Sequence, residues 1–212
     1  MVNFDIKVCG ITRVEDARKA AHLGARLIGL IFYPKSPRYV TVDQARDISQ
    51  GIEGEISRVG VFVDATVQEM DSIASKVGLE YLQVHGALGD GDLLDIHTAG
   101  LRVIRPYHIQ HVTDYDQVYR SKADYVMLDN ATKAMPGGTG KTFDWSLRPP
   151  RPIRNLVLAG GINESNIEDG VRLFTPAVVD VNSGVESEPG MKSPEKMERL
   201  FEICARLQCE QS

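Results

Sequence analysis

The sequence predicts one α/β domain, a single (β/α)8 barrel over residues 1–212 with a short or irregular fifth and sixth helix. Three observations predict it. Short β-branched or apolar runs alternate with helical patterns along the whole chain, giving eight β-then-α units of about 26 residues, compact beside the roughly 250 residues typical of the fold. Strict alternation implies a parallel sheet with right-handed crossovers. Several strands also end in chemically active residues, and in a barrel all those ends form one mouth. A doubly wound open sheet is the alternative. No composition shift or linker divides the chain into the halves such a sheet would show.

The first strand is Phe4–Val8, with Thr12 a plausible N-cap for a helix ending before Gly24. Leu27–Phe32 reads as a buried strand, followed by the proline-stiffened loop Tyr33–Tyr39 and a helix capped by Thr41. Arg58–Val63 and Tyr81–Val84 are the third and fourth strands, with helices from Thr66 and near Asp92–Ala99. Leu101–Arg105 precedes a weak fifth helix near Val112–Arg120, and Asp124–Leu128 is the sixth strand. A Gly-rich loop runs from Asn130 to Lys141, and Phe143-Asp144-Trp145 opens a proline-broken sixth helix. Arg154–Ala159 is the seventh strand, followed by a helix capped by Asn163; Ala177–Val181 is the eighth. The last helix starts near Ser193-Pro194, with proline at its favoured first position, and runs to about Leu207.

Composition narrows the function. Net charge is −5, which argues against a nucleic-acid or anionic-membrane partner. No stretch approaches the roughly 18 apolar residues of a spanning helix, and the start carries no basic leader. Cys9, Cys204 and Cys209 are few and odd in number, which suits a reducing cytoplasm. The outer helical faces carry no decisive apolar patch, so monomer and homodimer both stay open. The five histidines show no metal-ligand spacing, and no dinucleotide fingerprint follows a strand. Gly137-Gly-Thr-Gly-Lys-Thr142 imitates a nucleotide P-loop but has Met135 where that pattern needs glycine; a lid over the mouth is the better reading.

The strand ends carry the chemistry. Side chains alternate along a strand, so Lys7 and Cys9 face the side opposite to Phe4, Ile6 and Val8. A cation beside a thiol lowers its pKa and favours the reactive thiolate. Gln83 and His85 form a second such pair, and Asp129 and Asp180 close two further strands. Alone, Cys9 reads as a small buried hydrophobe and each polar residue as a turn or local partner. Four strand ends converging on one rim favour a site. Ala159–Asn163 and Asp180–Glu186, after the seventh and eighth strands, suit a phosphate, the frequent position for one in this fold.

The residues then resemble a known family, the phosphoribosylanthranilate isomerases of tryptophan biosynthesis. The motifs that carry the resemblance are Lys7-Val-Cys-Gly-Ile-Thr12, Phe32-Tyr-Pro-Lys-Ser-Pro-Arg-Tyr39, Leu82-Gln-Val-His-Gly86, Met127-Leu-Asp129, Gly137-Gly-Thr-Gly140, Leu158-Ala-Gly-Gly161 and Asp180-Val-Asn-Ser-Gly-Val-Glu186. They occur in family order over nearly the whole chain. The resemblance implies an Amadori rearrangement of a phosphorylated small molecule, N-(5′-phosphoribosyl)anthranilate, without a cofactor. It implies Cys9 as general base, Asp129 as general acid, and Arg38 as the ligand of the anthranilate carboxylate. Gly160, Gly161, Ser183 and Gly184 would hold the phosphate, with Lys7, His85 and Asp180 in support. Asn130 and Asn182 stand where the family often has serine. Two rivals remain: the equivalent isomerase of histidine biosynthesis, which has an aspartate where this chain has Cys9, and a non-catalytic phosphate-binding barrel.

Overall fold

The computed structural model describes residues 3–52, 56–129 and 145–210. Eight strands pair in chain order and close: β1 (Asp5–Val8), β2 (Leu27–Ile31), β3 (Ser57–Val63), β4 (Tyr81–His85), β5 (Arg102–Tyr107), β6 (Tyr125–Leu128), β7 (Leu156–Leu158) and β8 (Val178–Val181). All neighbours are parallel, and β8 returns to β1 with Lys7 beside Asp180. The expected closed barrel is therefore the fold.

Alternation along each strand sorts its side chains onto two sides. Outward residues such as Phe4, Ile6, Val8, Leu82, Leu128 and Leu158 join the helices in one continuous core. Each such side chain contributes about 1.5–3 kcal/mol by leaving water, so this layer supplies most of the stabilisation. Inward residues form a second apolar cluster of Leu27, Val59, Tyr81, Ile104, Met127, Val157, Ala159 and Val178, which fills the barrel interior. Above it the interior turns polar, with Lys7, Gln83 and Asp180 buried.

The helices are α1 (Val14–His22), α2 (Val42–Gln50), α3 (Val67–Val77), α4 (Asp90–Thr98), α5 (Tyr115–Tyr119), α6 (Ile167–Phe174) and α7 (Pro194–Cys209). Thr41 and Thr66 cap α2 and α3 through reciprocal boxes with Gln44 and Glu69. Ser193 caps α7, with Pro194 at its first position. Two caps fall elsewhere than the sequence indicates. Thr12 spends its hydroxyl on the carbonyl of Gly190, so Arg13 is the N-cap of α1. Asn163 folds back on Ser165 in a turn, and the boundary of α6 moves to Asn166.

The fifth helix is a 3-10 turn (Val112–Asp114) followed by the five-residue α5. Of the expected sixth helix, Trp145 onward forms turns only, since Pro149, Pro150 and Pro152 remove backbone donors. The Asn130–Lys141 lid lies outside the described residues. The sequence reading also misses a hairpin, β9 (Glu186–Glu188) with β10 (Met191–Lys192), between β8 and α7. Its strands are too short and too charged to show an apolar period.

Candidate active site

Cys9 stands one residue past β1, and its backbone is fixed. Its N–H donates to Val181 O (2.8 Å), and Ile11 N–H donates to Gly29 O (3.0 Å). The thiol is buried against Ile31 and Val61. Gly29 makes its room: a β-carbon there would stand 2.6 Å from Cys9 Sγ. Gly10, at φ +68°, turns the chain into α1; a β-carbon there would meet Arg38 Cδ and Asn182 Oδ1, both at 2.7 Å.

Beneath the thiol, the Lys7 ammonium donates to Asp180 Oδ1 (2.8 Å) and Gln83 Oε1 (2.9 Å), reaching from β1 to β8 and to β4. Burial opposes the Lys7 charge, but Asp180 and Cys9 outweigh it and hold its pKa above the usual lysine value. Cys9 departs from expectation here. Burial raises its pKa, and the lowering effect of Lys7 is too small to reverse that, with Asp180 adding to the rise. The resting group is the thiol, because the desolvation that surrounds a buried sulfur outweighs two nearby cations, Lys7 and Lys192, each already paired to a carboxylate.

Asp129 closes β6, its N–H donating to Tyr107 O (3.2 Å). His85 ends β4 and approaches Gln83 Nε2 through its own Nε2 (2.9 Å). Burial, then Lys7, lowers the His85 pKa to about 4, so the ring is neutral. Cys9, Arg38, His85, Asp129, Gly160, Gly161, Asp180 and Ser183 line one cavity. Lys7 lies below it. Gly184 is set back, with its α-carbon packed against the Ile162 carbonyl so closely that any β-carbon would overlap it.

Gly160 and Gly161 both adopt left-handed conformations, φ +82° and +70°, which favour glycine. The Gly161 carbonyl accepts from Asn163 Nδ2 (2.9 Å) and Asn166 Nδ2 (3.0 Å), which fixes the turn at the cavity wall. With Ser183 opening the short turn Ser183–Val185, this brings together the two segments read as a phosphate cradle.

Arg38 is not a loose loop charge. It is 7% exposed, and its Nε and Nη2 donate side-on to Glu186 Oε1 (2.8 Å) and Oε2 (2.7 Å). Glu186 also accepts from Lys192 Nζ (2.9 Å) and Gly190 N–H (3.2 Å). Burial works against the Glu186 charge, but Arg38 and Lys192 outweigh it and hold its pKa low. Lys192 donates further to Asn182 O and Oδ1. Sequence reasoning missed Lys192 and the anchoring role of Glu186. Glu186 closes the segment read after the eighth strand, but neither it nor Lys192 carries a local signal of this pairing.

The fold and site define a class: a (β/α)8 barrel with a thiol and a carboxyl at its C-terminal rim, beside glycine-lined turns after β7 and β8. A family model described as N-(5′-phosphoribosyl)anthranilate (PRA) isomerase matches residues 6–203. An N-(5′-phosphoribosyl)anthranilate isomerase of Rubrobacter xylanophilus is 39% identical over 92% of this chain and 96% of its own. The solved phosphoribosyl anthranilate isomerase of Thermotoga maritima superposes with a TM-score of 0.88 at 35% identity, over 96% of this chain and 99% of that one. A further phosphoribosyl anthranilate isomerase, 32% identical with a TM-score of 0.85 over 96% and 99% of the two chains, was solved with reduced 1-(o-carboxyphenylamino)-1-deoxyribulose 5-phosphate. This chain belongs to the N-(5′-phosphoribosyl)anthranilate isomerase family.

Proposed function

We propose that Cys9 and Asp129 carry out the proton transfers of this chain's reaction, the isomerisation of N-(5′-phosphoribosyl)anthranilate to 1-(2-carboxyphenylamino)-1-deoxyribulose 5-phosphate in tryptophan biosynthesis. The observation that carries the reading is the sharing of one cavity by Cys9, Asp129, Arg38 and the glycine-lined cradle.

The chemistry needs only proton movement. Asp129, as the acid, gives a proton to the furanose ring oxygen; the C1–O bond breaks and leaves a protonated Schiff base. Cys9, having first passed its resting proton to the Asp129 carboxylate, takes the C2 proton as thiolate, and the electron pair of that C–H bond moves to neutralise the iminium. The resulting enolamine ketonises as C1 gains a proton and the C2 hydroxyl loses one. The pair ends as carboxylate and thiol, so a proton must pass back to Asp129 before the next turnover.

Glu186 occupies the side edge of the Arg38 fork, and the end edge suits the planar anthranilate carboxylate. Gly160, Gly161, Ser183 and Gly184 hold the phosphate through backbone N–H groups and a hydroxyl. Lys7 and Asp180 set the field beneath the thiol. The ligand is a small phosphorylated molecule rather than nucleic acid, and the cytoplasm suits an enzyme that works through a free thiol. The purified protein converting phosphoribosylanthranilate without added metal or nucleotide is the expected result; no conversion refutes the reading.

A further inference from the structure

Hydrogen-bond direction can be followed from Lys7 to His85 without ambiguity. The Lys7 ammonium has donors only, so the Gln83 atom 2.9 Å from it accepts and is the amide oxygen. Gln83 Nε2 is then the NH2 group, which has donors only. It faces His85 Nε2 at 2.9 Å, so that nitrogen must be the acceptor. A histidine accepting at Nε2 is neutral and carries its proton on Nδ1.

We propose that Gln83 is a positioning residue: clamped by Lys7, it holds His85 as the neutral Nδ1–H tautomer, so the ring serves the ligand cavity as an uncharged N–H donor and not as an acid or base. The proposal rests on the isomerase reading for what the donor meets, an oxygen of the substrate, but the tautomer itself does not. His85 lines the cavity with Cys9 and Asp129. Its Nε2 lone pair is spent on Gln83, so it cannot compete with Cys9 for the C2 proton.

The surroundings agree. From β1, Lys7 opposes a second cation, and Asp180 on β8 is taken by Lys7. On β3, Val63 pairs in register with His85. On β5, Arg105 is turned to the carbonyl of Leu88. The ionisable groups sharing the cavity are Cys9, Lys35, Arg38, Tyr33, Asp129 and Asp180, beside Asp64, whose N–H holds the His85 carbonyl.

The test is a multiple-bond proton–nitrogen spectrum of the full chain labelled with 15N-histidine, the His85 signals being assigned by their loss in His85→Asn. The expected result is an unprotonated Nε2 and protonated Nδ1, unchanged from pH 8 down to about pH 5. A protonated Nε2, or titration near the usual histidine value of about 6.5, overturns the proposal. Gln83→Glu supplies an acceptor of the same shape in place of the donor. The proton is then expected on Nε2, and kcat/KM acquires an ionisation between about pH 5 and 8 that the parent lacks. An Nε2 still unprotonated in this variant also overturns it. If Gln83→Glu does not fold, the parent spectrum decides alone. A parent with the expected tautomer but no isomerase activity would refute the functional reading and leave the tautomer standing.

Discussion

Arg38 and Glu186 meet as a parallel fork, Nε to Oε1 at 2.8 Å and Nη2 to Oε2 at 2.7 Å, with both side chains buried. The loop after β2 and the hairpin after β8 are thereby tied together over the mouth. On the proposed reading, Arg38 is fixed before the substrate carboxylate arrives, which lowers the conformational cost of binding.

Replacing Glu186 by Gln leaves Arg38 and Lys192 buried without their counter-ion. Breaking a buried pair in this way costs about 3–5 kcal/mol, read as a lower denaturation midpoint. KM for phosphoribosylanthranilate is expected to rise more than kcat falls. The pH sign follows from a Glu186 pKa held below its unfolded value. Its contribution is complete above the ordinary glutamate range and is lost as pH falls through the lower folded value. Glu186→Gln therefore flattens the acid limb of stability against pH; an unchanged limb contradicts the assignment.

Cys9→Ser and Asp129→Asn are each expected to lower kcat by about 10²–10⁴ while the fold persists, checked by steady-state kinetics beside circular dichroism. Near-normal turnover in either variant removes that residue from the mechanism.

The thiols should separate by environment. Cys209 is exposed; Cys204 is buried with its pKa pushed up to about 12; Cys9 is raised by burial against the pull of Lys7. Alkylation followed by peptide mass spectrometry should label Cys209 first. Cys9 labelling should still be climbing with pH at the ordinary thiol value of about 8.5. Lys7→Met removes the pull and should slow Cys9 further at every pH below its plateau. Equal Cys9 rates in the two proteins would show that Lys7 does not tune the thiol.

Gly184→Ala places a methyl on the Ile162 carbonyl, a backbone atom that cannot swing aside, so the loops after β7 and β8 must part. Competitive inhibition by inorganic phosphate should weaken about tenfold or more, equivalent to at least about 1.4 kcal/mol. Inhibition unchanged from the parent would place the phosphate elsewhere.

The barrel was legible because its signals are local and repeated. Alternation from Phe4 to Cys9 put Lys7 and Cys9 on the inner side, where they lie, and Thr41 and Thr66 marked the starts of α2 and α3. The rim residues were legible because strand ends converge in this topology. What sequence could not supply depends on contacts made across the chain. Arg38 and Glu186 are 148 positions apart, and nothing local in either segment indicates the other. The resting state of Cys9 turns on burial against two cations, Lys7 and Lys192, a balance set with Ile31, Val61 and Asp180. Thr12 is a good cap by type but was drawn off by Gly190 on the distant hairpin.

The apolar cluster of Leu27, Val59, Tyr81, Ile104, Met127, Val157, Ala159 and Val178 makes the barrel a beaker instead of a pipe. With its floor shut, substrate and product share one doorway. A product molecule must therefore leave by the rim before the next substrate can enter by it.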